Sequence, residues 1–263
     1  MMLPPCEGPA LDQFIYHDAP IEWLERLDEN DNSQGYVFRV LIKGKEYAIK
    51  VFKFYNPMNT EYFWGPMLGE DTPLDTAAFY TDPFYAECRA YGRIQEEIKR
   101  NKLSKDIAVP CYGYLFLQEE DQIVLHEREL DLELWNINVD YQRLTPGGLN
   151  PRAIVKDIAP AETGVNGDSL QKILRDVTSL NRQGIYNMDI KKDNYRGGRL
   201  VDFGSSWTKP HLLLDACNAR QSYASRAADR AMFDEMVREE EIPNPKGVKA
   251  IHVMKRRSQV IRE

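Results

Sequence analysis

Basic charge, cysteine and long apolar runs are all scarce in this chain of 263 residues, and each shortage excludes something. Lys and Arg number 34 against 41 Asp and Glu, a formal net charge of -7, which argues against nucleic-acid binding by bulk charge. The short basic cluster Lys255-Arg256-Arg257 reads as a solvated tail. The four cysteines, Cys6, Cys88, Cys111 and Cys217, lie far apart, so neither a disulfide framework nor a zinc site is expected and a reducing compartment fits. The four histidines, His17, His126, His211 and His252, show no metal-ligand spacing. Pro4 and Pro5 stand where a secretory signal needs a basic start and an apolar run, and no stretch reaches the length of a membrane span. A cytoplasmic or nuclear protein is expected, neither secreted nor membrane-bound. Internal repeats and low-complexity tracts are also missing.

What is present is apolar residue enough, 43% of the chain, for one large domain or two small lobes. Residues 1–20 read as a loose leader. Residues 36–42 and 46–52 are β-rich runs around Lys43-Gly44-Lys45, a hairpin. Residues 83–98 carry Phe84, Cys88, Tyr91, Ile94 and Ile98 at a helical period, with Asp82 as the N-cap. Strand-like runs follow at 109–117 and 152–160. Residues 55–80, containing Tyr62-Phe63-Trp64, read as an inserted packed loop. A second insertion, 118–151, holds a strand at 122–126, a Trp135 segment and a Pro146-Gly147-Gly148 loop. From Asp168 or Ser169, expected as the cap, Leu170, Ile173, Leu174, Val177 and Leu180 line one helix face as far as Gly184. Gly197-Gly198 forms a tight hairpin turn, and residues 222–241 are helical.

The chemistry-bearing residues fall into four blocks. Ala48-Ile49-Lys50 ends on a strand lysine, and Glu87 lies on the following helix. Tyr186-Asn187-Met188-Asp189-Ile190-Lys191-Lys192-Asp193-Asn194 precedes Asp202-Phe203-Gly204. In that order and on those element types, the set resembles the protein-kinase-like superfamily. More narrowly, the blocks beginning at Tyr47, Phe84, Arg152 and Val201 resemble a fungal family named after a subunit of the Sim-four kinetochore complex, over about residues 36–211 with gaps.

The resemblance implies an α+β, two-lobed protein-kinase-like fold, with a small β-rich N-lobe over 21–160 and a shortened helical C-lobe over 161–263. It implies a cleft for ATP and magnesium. There Gly35 and Val37 would belong to the nucleotide-covering loop, and Ala48, Lys156, Asp157 and Ala159 would line the nucleotide pocket. Lys50, paired with Glu87, would contact the α- and β-phosphates; Asp189 would orient the acceptor proton and Lys191 steady the γ-phosphate; Asn194 and Asp202 would hold magnesium. The expected activity is transfer of the ATP γ-phosphate to an unknown acceptor. The sequence also departs from the pattern. Glycine is nearly gone from the covering loop, Met188 replaces the arginine before Asp189, and no Ala-Pro-Glu element follows Gly204. These departures keep two alternatives open: a pseudokinase that binds protein partners through its insertions in an assembly such as a fungal kinetochore, and a small-molecule kinase.

Overall fold

Apolar alternation at period two builds the central sheet. In the computed structural model, which describes residues 10–28, 34–69, 71–134, 137 and 147–250, five strands form one antiparallel sheet in the order β1-β2-β3-β5-β4. They are β1 (Glu22–Arg26), β2 (Gly35–Ile42), β3 (Lys45–Phe52), β4 (Cys111–Phe116) and β5 (Arg152–Lys156). The expected hairpin is β2–β3, paired from Gly35↔Phe52 to Ile42↔Lys45. Its turn residues Lys43 and Gly44 both have positive φ, 51° and 75°, the geometry that follows the twist of the strands. The run expected over 152–160 stops pairing at Lys156, because the Asp157 N–H donates instead to Pro110 O at 2.9 Å.

Seven α-helices are described: α1 (Glu61–Leu68), α2 (Leu74–Thr81), α3 (Pro83–Lys99), α4 (Glu119–Glu127), α5 (Leu170–Arg182), α6 (Leu212–Ala216) and α7 (Ala219–Glu239). No helix among the described residues is long and apolar enough to cross a membrane. Helix α3 begins as its sequence predicts: Asp82 accepts the Phe84 N–H at 2.9 Å and Pro83 occupies the first turn. It covers one face of the sheet, where Phe52, Tyr114, Phe116 and Ile154 meet Phe84, Cys88 and Tyr91 in a core that continues into α5 and α7 through Ile173, Val177 and Phe233. The other face buries Phe38, Val40, Ile49, Val51, Leu115 and Val155 under Leu125 of α4. Two small ribbons complete the fold: β6 (Ile185–Tyr186) with β9 (Trp207–Thr208), and β7 (Tyr195–Arg196) with β8 (Arg199–Leu200) through Gly197-Gly198.

Three expectations need correction. The stretch 122–126 is helical within α4, because Gln118 and Asp121 make a capping box and three acidic residues occupy the first turn. The insertion at 55–80 contains α1 and α2 rather than a loop; Trp64 and Ala77 pack on Leu213, and the Trp64 Nε1–H donates to Pro57 O at 2.9 Å. The described part of the leader, from residue 10, is tied down: Leu11 and Phe14 are buried, and the Phe14 N–H donates to Tyr114 O at 2.8 Å. Gly92 and Gly113 allow this, since a Cβ at either would lie under 3 Å from the backbone of the segment. Ser169 is the N-cap residue of α5, as expected, although its hydroxyl makes no bond to the first-turn N–H groups; Asn166 Oδ1 takes the Asp168 and Ser169 N–H groups at 3.0 and 3.2 Å. The Trp135 segment and most of its surroundings lie outside the described residues.

Candidate functional site

Register decides which side chains share a face. Ala48 pairs with Lys156, Lys50 with Ile154 and Phe52 with Arg152, so the alternate residues of β3 and β5 all point at α3. On α3, Glu87 sits one turn after Pro83 on the same buried face as Phe84, Cys88 and Tyr91. The result is a buried charge cluster. Lys50 Nζ lies 2.9 Å from Glu87 Oε2 and 2.8 Å from Asp202 Oδ1. Lys156 Nζ bonds the other oxygen of Glu87 and donates to Val201 O at 2.7 Å, with its ammonium 5.2 Å from the Tyr91 ring centroid. Two ammonium groups therefore face two carboxylates. Nearby, Arg152 Nη1 meets Asp82 Oδ2 at 2.6 Å, which ties β5 to the start of α3.

Lys50 and Asp202 each favour the other's charged form. Burial disfavours the Lys50 ammonium, but the Asp202 and Glu87 charges outweigh it and raise its pKa above the ordinary lysine value. Burial also disfavours the Asp202 carboxylate; Lys50, Lys156 and the Gly204 N–H, which donates to Oδ1 at 2.8 Å, overcome this and hold it well below the usual range.

A second group stands beside the cluster. Asn194 Nδ2 donates to Asp189 O at 2.8 Å and Oδ2 at 2.9 Å, while Lys191 Nζ lies 2.8 Å from the same Oδ2. Asn187 joins the two groups: its Nδ2 donates to Asp202 O at 2.7 Å and its Oδ1 accepts the Asp189 N–H at 3.1 Å. The loop bends at Met188, which has a φ of 63°. Asp229 of α7 holds that bend by accepting the N–H groups of Asn187 at 2.9 Å and Met188 at 2.8 Å, together with Asn181 Nδ2 at 2.6 Å. A left-handed non-glycine residue costs about 1–2 kcal/mol, which these bonds offset.

Of the residues singled out from sequence, Ala48, Lys50, Glu87, Lys156 and Asp202 meet around one cluster, and Asp189, Lys191 and Asn194 meet beside it. Gly35 and Val37 lie on β2, where Val37 pairs with Lys50, and a Cβ at Gly35 would fall 2.2 Å from Val51 O. Close strand approach thus accounts for that glycine. Asp157 and Ala159 follow β5, half-buried and outside the ion-pair cluster. Asn187, Asp229 and the Arg152–Asp82 pair were missed. An isolated asparagine or aspartate carries no spacing signal, although the position of Asn187 before Asp189 was open to inspection.

Taken together, fold and site define a mixed α+β protein with a buried, self-neutralising charge cluster joined to a polar loop. Residues 1–207 match the family described as Kinetochore Sim4 complex subunit FTA2, and the chain belongs to that family. Among curated proteins none matches.

Proposed function

We propose that the chain is a protein-binding subunit of a kinetochore-type assembly, built on a two-lobed kinase-like fold. Family membership over residues 1–207 carries this reading. It brings with it a nuclear location and protein partners. Exposed aromatics on the first insertion supply a docking surface: Tyr62 is 82% exposed and Phe63 42%, beside Trp207 at a ring-centroid distance of 5.9 Å. The test is in cells. A fluorescently tagged chain concentrates at centromeres; Asp189→Ala keeps that localisation, and Tyr62→Ala with Phe63→Ala loses it. The reverse pattern would sink the reading.

The placement of Lys50 between Glu87 and Asp202 favours a second reading, an ATP- and magnesium-dependent phosphotransferase acting on a protein or small molecule. The residues fit the group. Asn194 spends its amide N–H groups on Asp189, which leaves its carbonyl oxygen for a cation, and Asp202 has its second carboxylate oxygen free of any hydrogen bond among the described residues. No group of three or more His, Cys, Asp or Glu gathers as a preformed metal site among the described residues, so phosphate and water oxygens would complete a magnesium shell. With nucleotide bound, Lys50 would neutralise phosphate charge and Asp189 would hold the acceptor proton. ATP with magnesium at ~100 times the dissociation constant should stabilise the protein by about 2.7 kcal/mol. A melting temperature unmoved by millimolar nucleotide, or moved equally in Asp202→Ala, removes this reading.

A further inference from the structure

Away from the charge cluster, a cleft of about 360 Å³ opens between the C-terminal ends of α3 and α5 and the segment leaving β9. Its walls carry five cations, Arg93, Arg100, Lys102, Arg182 and Lys209, against one carboxylate, Glu97. Glu97 is buried, and three of the cations already crowd it: Arg100 at 3.1 Å, Lys102 at 3.2 Å and Arg93 at 3.7 Å. Glu96 adds contacts to Arg100 at 2.5 Å and Arg93 at 3.5 Å.

Two helices end here, and the carbonyl end of a helix draws cations unaided. That accounts for Arg100, Lys102 and Arg182, but not for Lys209. Lys209 follows β9 and is fixed in place by its own backbone: its carbonyl accepts from Arg93 Nη2 at 3.0 Å and its N–H donates to Gly184 O at 2.9 Å. Its side chain crosses the face of Gly184, where an added Cβ would lie 3.1 Å from Lys209 Cβ. Neither the Lys209 ammonium nor the Arg182 guanidinium meets an acceptor among the described residues. Arg226 and Arg230 of α7 add positive charge near Tyr186 at the edge of the cleft, partly offset by Asp229. In a chain of net charge -7, this is a local cationic surplus with donors unspent.

We propose that this cleft docks an acidic peptide segment of a protein partner, with one phosphorylated side chain seated between Arg182 and Lys209. A guanidinium and an ammonium from separate segments suit a dianionic oxyanion, which accepts several charge-assisted bonds at once. The short span of the cationic lining and the acidic remainder of the chain disfavour nucleic acid, which needs a track of cations along its backbone. The docking rests on the assembly reading for the occupant being a protein.

The experiment titrates the full chain into a fluorescein-labelled phosphoserine peptide flanked by glutamates and reads anisotropy at about 50 and about 200 mM salt. Its unphosphorylated twin, inorganic phosphate as competitor and a duplex DNA of arbitrary sequence are run beside it. The phosphopeptide should bind, weaken with salt and be displaced by inorganic phosphate. Arg182→Glu with Lys209→Glu should weaken it at least about tenfold, and the milder Arg182→Gln with Lys209→Gln, checked for an unchanged melting temperature, by several fold. Equal binding of the twin peptides overturns phosphate recognition, and full binding by both double variants overturns the site. Tighter binding of the DNA, lost in the same variants, replaces the peptide with nucleic acid. Wild-type chain that binds the peptide but never reaches a centromere defeats the assembly reading alone. Centromeric chain that ignores the peptide defeats the docking alone.

Discussion

Glu87→Gln removes a charge, and almost no volume, from the centre of a neutral buried cluster. Lys50 and Lys156 are each 6% exposed and Glu87 0%, so water does not replace the lost carboxylate. The substitution strands one uncompensated ammonium in a low-dielectric interior. Breaking a buried pair from one side costs about 3–5 kcal/mol. At roughly 2–4 °C per kcal/mol for a chain of this size, the melting temperature should fall by on the order of 10 °C. Lys156→Met alone should cost less, about 1–2 kcal/mol, because Glu87 keeps Lys50 and the solvent-facing part of Asp202 carries the excess negative charge. The informative variant is the double. Glu87→Gln with Lys156→Met leaves Lys50 opposite Asp202, neutral again, and should be more stable than Glu87→Gln by itself. Urea unfolding followed by circular dichroism, with coincident probes to check two-state behaviour, closes the cycle. A double variant whose loss equals the sum of the two single losses would refute the reasoning, because the charges would then not sense one another.

Three further outcomes follow from other parts of the structure. Asp229→Ala leaves the Asn187 and Met188 N–H groups without their acceptor and the Asn181 amide with Ile185 O alone, so stability should drop by about 3 kcal/mol and hydrogen exchange at Asn187 and Met188 should accelerate; wild-type protection there contradicts it. His211 is 1% exposed and stacked on Trp207 at 5.2 Å, with burial and the Arg89 charge holding its pKa well below the ordinary value. The unfolded chain therefore takes up that proton first, and stability should fall below about pH 6.5 by up to about 1.4 kcal/mol per pH unit, a slope that His211→Gln lacks. Gly92→Ala would place a Cβ 2.5 Å from Ala10 C and 2.8 Å from Leu11 N, so it should cost about 1–3 kcal/mol and speed proteolysis near residues 10–14; an unchanged digest would show that this segment does not rest there.

The β2–β3 hairpin, α3 and α5 were legible because each writes its period into the sequence: alternation about a two-residue turn in the first, and apolar spacing behind an N-cap or before Gly184 in the others. Residues 122–126 misled for the opposite reason. Ile123, Val124 and Leu125 read as a strand by composition, whereas the deciding signal, Gln118 with Asp121, lies upstream. The cluster was legible in part. Lys50, Glu87 and Asp202 have fixed spacings from recognisable motifs, but the pairing of Lys156 with Glu87 depends on the β3–β5 register, which no local pattern states. The anchoring of Met188 by Asp229 is likewise tertiary, reached across 41 residues.

Lys156 also separates the two functional readings. If a nucleotide binds, its phosphates must draw Lys50 away from Glu87 or Asp202, and a Glu87 left without a cation at 0% exposure would resist. Lys156 already holds the other oxygen of Glu87, so Lys50 can turn toward an anion while Glu87 stays paired. The second lysine thus lowers the cost of recruiting the first. Under the phosphotransferase reading, Lys156→Met should diminish the thermal stabilisation given by ATP and magnesium, and the loss should be larger than the same variant's own change in stability explains. Under the assembly reading alone, neither protein responds to nucleotide, and Lys156→Met reaches the centromere as the wild type does. A nucleotide response of equal size in both proteins would leave Lys156 a structural cation and nothing more.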